Sequence, residues 1–224
     1  MQWHSRKIPA QLQRAADQVI RSLSALTVLP LLLIPLSLNA ATEQAPAPDA
    51  TGKTIKKGTF LVATKNLTGS SFSETVILIT HYSNWGATGL AINRPAKITL
   101  EEAFPDVQQL HDNRNELFLG GPVKPDTIFV LMKTKRPDSS MRNIADDVYF
   151  APGISAFAGS RDQAVSKKTA RAFAGYSGWA PGQLEAEIRR GDWLVIESDL
   201  DIVFTEENQS LWKKLTHDWS GSWI

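Results

Sequence analysis

The sequence contains no cysteine among its 224 residues, so no disulfide, thiolate metal site or redox thiol enters any account of it. No Gly-x-Ser-x-Gly elbow is present either, which removes the usual setting of a serine nucleophile. Histidine is scarce. Beyond the first residues only His81, His111 and His217 remain, and no two stand at the spacing zinc or iron ligands adopt. Gly120-Gly121-Pro122 lacks the Gly-Lys-Ser/Thr ending of a phosphate loop and reads as a tight turn. Nor does any apolar run reach the ~20 residues a membrane-spanning helix needs. No metal, cofactor or catalytic set is therefore expected.

The first 41 residues read as a separate unit. Arg6, Lys7, Arg14 and Arg21 precede an apolar run from Leu23 to Leu38, and Ala40-Ala41 close it. A basic start, a short apolar stretch and small residues at its end are the layout of a secretory signal peptide. Leu38 or Asn39 stands where alanine is preferred before the cut, so an uncleaved anchor is the second form of the same reading. A misassigned start codon, with residence in the cytoplasm, is the alternative. Residues 42–57 are rich in Ala and Pro and read as a disordered linker.

Charge divides along the same line. The whole chain has 24 Lys/Arg and 23 Asp/Glu; without residues 1–41 these become 20 and 22, a net charge of −2. The folded part thus has no electrostatic footprint for nucleic acid.

Past the linker, Thr59–Thr64 and Glu74–His81 read as strands, the second apolar on both faces as a central strand is. Ala87–Ile92 returns as its hairpin partner. Thr99 to Phe104 begins like a capped helix that must end by Pro105. Glu116–Leu119, Thr127–Met132 and Val148–Phe150 are further strands, with a basic loop over Lys133–Arg142. One helix is expected within Ile154–Arg171 and another over Glu206–Asp218. Strands and helices mix without strict alternation, which favours α+β over a doubly wound sheet.

The densest stretch is Gly175-Tyr176-Ser177-Gly178-Trp179-Ala180-Pro181-Gly182-Gln183-Leu184-Glu185-Ala186-Glu187, closing at Gly191-Asp192-Trp193. Ala172–Tyr176 reads as the end of a strand, Gly178 as a bend, and Pro181 as the first turn of a helix. Leu184 and Ile188 share one helical face, acidic residues come early and Arg189 and Arg190 late, and Gly191 is a natural stop. Trp193–Ile196 resumes as a strand.

Together with Gly58-Thr59-Phe60-Leu61-Val62-Ala63-Thr64, Gly86–Pro95 and Leu119–Val123, this stretch resembles the YqgE/AlgH family, four motifs in register from Gly58 to the C-terminus. The resemblance implies a single α+β domain over 58–224: a strongly bent, mixed, mainly antiparallel sheet flanked by helices. It implies no agreed activity, and the AlgH label suggests a regulator of gene expression.

Three functions stay open on these residues. The first is a non-catalytic binding or interaction module exported from the cytoplasm, taking an unknown protein or small molecule, with membrane association through the N-terminal segment. The second is a cytoplasmic regulator, and the third an enzyme of unknown reaction. The candidate pocket is Asn93, Arg94, Trp179, Gln183 and Glu187, with Arg94 expected to pair with Glu185 or Glu187.

Overall fold

The computed structural model describes residues 54–159, 168–197, 199–205, 208 and 210–220. The signal or anchor segment, the start of the linker, Trp223 and the side chain of Trp219 lie outside them. Ten strands form one sheet: β1 (Phe60–Ala63), β2 (Val76–Ser83), β3 (Gly86–Ala91), β4 (Pro95–Thr99), β5 (Glu116–Leu119), β6 (Val123–Lys133), β7 (Arg142–Ala145), β8 (Val148–Pro152), β9 (Ala170–Trp179) and β10 (Trp193–Ile196). The order is β10-β1-β2-β3-β9-β6-β8-β7, with β5 paired to β9 and β4 to β5. Every pairing is antiparallel except β5 with β9. Helices α1 (Leu100–Ala103), α2 (Ser155–Gly159), α3 (Gln183–Arg189) and α4 (Leu211–Ser220) cover its faces. This is the α+β class with a mainly antiparallel sheet.

Strand periodicity explains the layering. In β1 and β2, Phe60, Val62, Val76 and Leu78 face one apolar cluster while Leu61, Ala63, Ile77 and Ile79 face another. Both faces are buried, as the unbroken run Val76-Ile77-Leu78-Ile79 requires. The C-terminal segment covers the first face with Leu200, Val203, Phe204 and Leu211. Helix α3 covers the second with Leu184 and Ile188. Burying each of these two side chains contributes roughly 2 kcal/mol.

Strand β9 makes the bend. Its residues 170–176 pair with β6 and its residues 177–179 with β3. Between them Gly175 adopts φ +68°, and a Cβ there would stand 2.4 Å from the Gly121 carbonyl oxygen. Gly120-Gly121 is thus a turn packed backbone to backbone against β9. The sheet curls until its far end returns: Lys57 Nζ donates to the Asn143 carbonyl at 2.6 Å, and Ile144 and Val148 share a cluster with Phe60.

Several local expectations are corrected. Order begins before Gly58, because Ile55 is 2% exposed within the α3-facing cluster. Gly178 lies inside β9 opposite Thr88; the left-handed turns are at Gly175 and at Gly182, φ +76°. Pro181 precedes α3, whose N-cap is Gly182. Strand β4 opens on Pro95, tolerated at the first residue of a strand that pairs on one side. Arg142 begins β7 rather than ending a loop. The expected capping box is present at α1: Thr99 Oγ1 accepts the Glu102 N–H at 3.2 Å, and Glu102 accepts the Thr99 N–H at 2.8 Å.

Candidate functional site

Helix α3 is short, so its position depends on its ends. At the N-terminus Gln183 turns back and accepts the Ala180 N–H at 3.0 Å. At the C-terminus the Gly191 N–H reaches the Ile188 carbonyl at 2.9 Å, and the Asp192 N–H reaches Glu187 at 3.0 Å. These two bonds form a Schellman stop, which Gly191 permits at φ +78°. The last carbonyls are claimed from β1's side. Thr64 Oγ1 donates to Gly191 at 2.6 Å, and Asn66 Nδ2 donates to Arg190 and Gly191 at 3.1 Å each.

So held, α3 presents Glu187 to the strands on either side of it. Trp179 ends β9 and Trp193 begins β10. Their indole N–H groups both donate to Glu187 Oε2, at 2.8 and 2.9 Å. Gln183 Nε2 donates to Oε1 at 3.1 Å. The two indoles meet edge to face at 6.1 Å, and Phe72 packs on Trp193 at 5.7 Å. Two residues earlier on the helix, and so on another side of it, Glu185 Oε1 accepts the Tyr82 hydroxyl at 2.6 Å. Burial first, then the hydrogen bond and charge of Glu185, hold the Tyr82 phenol well above its ordinary range.

Of the five candidate residues, Trp179, Gln183 and Glu187 therefore come together. Asn93 and Arg94 do not join them. Ala87 lies opposite Trp179, and Asn93 is six residues farther along, roughly 20 Å at strand spacing. There Asn93 Oδ1 accepts the Val76 N–H at 2.9 Å, and Nδ2 donates to the Glu74 carbonyl at 2.9 Å. Arg94 donates to the Ser73 carbonyl at 3.0 Å instead of pairing with Glu185 or Glu187. Burial lowers its pKa from the ordinary guanidinium value. Asn93 and Arg94 thus hold the turn before β2, where Glu74 sits at φ +55°.

Sequence reasoning missed Trp193 and Tyr82 as members of the corner. A signal existed for the first: a buried indole needs an acceptor, and Glu187 is the carboxylate preceding Trp193 across the Gly191 stop. Tyr82 lies 103 positions from Glu185, and no spacing rule reaches that far. Ser70 is a turn residue, its Oγ donating to the Leu67 carbonyl at 2.7 Å and accepting the Phe72 N–H at 3.1 Å. Among the described residues no three His, Asp or Glu side chains converge on a metal position.

The corner is built from the stretch that carried the family resemblance, and comparison with known proteins agrees with it. The AlgH-like family profile matches residues 60–223. The chain belongs to this family. A UPF0301 protein of Marinomonas sp. is 34% identical over 152 residues, covering 66% of this chain and 80% of its own length. Another, from Methylococcus capsulatus, is 32% identical over 171 residues, covering 73% and 91%. The solution structure of the AlgH protein from Pseudomonas aeruginosa superposes with a TM-score of 0.58 at 26% identity, covering 75% of this chain and 89% of that one. A crystal structure from Corynebacterium diphtheriae, at 22% identity and TM-score 0.58, shares the fold. This AlgH-like protein therefore has relatives of uncharacterised activity and one carrying the AlgH name.

Proposed function

We propose that the AlgH-like domain is a non-catalytic binding or interaction module that works outside the cytoplasm, tethered or released through its leader. One contrast supports the reading. The polar groups of the candidate site are spent internally, Glu187 on three donors and Asn93 on two backbone groups, whereas Trp85 stands 89% exposed on the β2–β3 turn. A residue set of that kind positions a surface; it does not leave a base or nucleophile free to act at the corner. The net charge of −2 past the leader weighs against the regulator alternative, which needs a nucleic-acid surface.

Cell fractionation with N-terminal sequencing tests the address. The expected result is a membrane or periplasmic protein, either intact or cut near Ala40 or Ala41. Cytoplasmic protein, whether it begins at Met1 or at a later start, overturns the proposal, and a gel shift at nanomolar concentration in physiological salt restores the regulator.

A further inference from the structure

Among the described residues Trp85 is the large apolar side chain left open to solvent, at 89% exposure. Its turn is well held. Ser83 Oγ accepts the Trp85 N–H at 3.2 Å and donates to the Gly86 carbonyl at 3.4 Å. Gly86, at φ +119°, packs so closely on β9 that a Cβ would stand 2.2 Å from the Trp179 carbonyl oxygen. The hairpin tip is therefore a fixed projection of the aromatic corner.

The chain enters the domain alongside β2, the strand that leads to this tip. At the hairpin base Tyr82 faces Ala87, and both pack in the cluster that buries Ile55. The Gly58 N–H donates to the Ile79 carbonyl at 2.8 Å, and β2 runs on from Ile79 toward the tip. The described start of the chain thus meets β2 at Ile79, six residues short of Trp85 and roughly 20 Å from it at strand spacing. No Asp or Glu occurs from Thr75 to Leu100, while at the entry Lys56 pairs with Glu197 at 2.6 Å and Lys57 donates to the Asn143 carbonyl.

We infer that Trp85 seats in the headgroup region of the bilayer that holds the leader, giving the domain a second lipid contact beside its tether. An indole combines an apolar ring with a polar N–H, which favours the membrane–water interface over bulk water. A lone aromatic binds weakly from free solution, but a tether makes the contact intramolecular and raises its effective concentration. Residues 42–53 span at most roughly 40 Å, so tether and tip reach the same bilayer. The inference rests on the proposed address of the domain, in its anchored form.

The test uses the full chain, reconstituted into vesicles of phosphatidylcholine and phosphatidylglycerol with or without brominated acyl chains. Trp85→Phe removes one fluorophore at an exposed position, so the wild-type minus Trp85→Phe emission reports Trp85. The expected difference spectrum is blue-shifted in vesicles and quenched by the brominated lipids. Equal intensity with and without bromine overturns the inference, as does a shift that follows protein concentration without lipid, which assigns Trp85 to a second copy. If fractionation still finds the protein outside the cytoplasm, only the lipid contact falls; a cytoplasmic protein with an intact leader removes the address itself.

Discussion

Replacing Glu187 with alanine removes the acceptor shared by two indoles that are themselves 7% and 3% exposed, and it also frees Gln183. Hydrogen bonds to a charged group contribute about 1.5–3 kcal/mol each, and a stranded buried donor costs a similar amount. The three bonds share one carboxylate and do not add, so the expected loss is about 3 kcal/mol. In a domain of this size each kcal/mol moves Tm by about 2–4 °C, which gives a fall of roughly 6–12 °C. Glu187→Gln is the sharper control. Its carboxamide oxygen, placed where Oε2 stands, still accepts both indole N–H groups, now without the charge, and costs about 1 kcal/mol. In a double-mutant cycle, Trp193→Phe adds less on top of Glu187→Ala than it costs alone, because its partner has already gone. Urea or thermal melts followed by near-ultraviolet circular dichroism read the wild type and all four variants. An unchanged Tm for Glu187→Ala refutes the clamp and leaves Glu187 as a residue held in reserve for a ligand.

The glycine corner separates two kinds of left-handed glycine. Gly175→Ala places a Cβ 2.4 Å from the Gly121 carbonyl oxygen and yields little folded protein, whereas Gly182→Ala meets no atom within 4 Å and costs about 1 kcal/mol, both read by soluble yield and melts. Arg171, 4% exposed, donates to Asn208 Oδ1 and the Thr205 carbonyl and stacks 4.7 Å over Phe118. Arg171→Leu is therefore expected to speed amide exchange through Leu211–Thr216 before it unfolds the sheet. Burial brings the Arg171 pKa down to about 10. Tyr82 has a raised folded pKa, so its hydrogen bond to Glu185 is fully present below the ordinary phenol pKa and is lost as pH rises through the folded value. Tyrosinate absorbance of Glu185→Gln against wild type should show the ionisation of Tyr82 moving down toward the ordinary range, and an unmoved titration contradicts the pairing.

Local patterns were legible wherever neighbours in sequence are neighbours in space. The run Val76–Ile79 announced a strand buried on both faces, Thr99 and Glu102 a helix start, and Gly191 a helix stop, because each signal acts within a turn or a pleat. Boundaries were less legible. Strand β6 begins at Val123, not Thr127, because a register irregularity between Val123 and Ile128 accommodates Pro125. The C-terminal helix begins at Leu211, while Glu206 and Glu207 lie outside the described residues.

By itself the sequence determined the α+β class, the family and the near-neutral charge past residue 41, all properties of composition, short-range pattern and ordered motifs. Only the tertiary structure decided who meets whom. Asn93-Arg94 and Trp179–Glu187 both lie in polar segments bounded by glycine, and from the chain alone they looked like one pocket. The β3 strand holds them roughly 20 Å apart. Arg94 accordingly meets the backbone of Ser73, and of the two carboxylates it was expected to meet, Glu187 serves two indoles and Glu185 the Tyr82 hydroxyl. Partner choice across a sheet depends on strand order and register, and these are set by the sum of long-range packing rather than by any local run of residues.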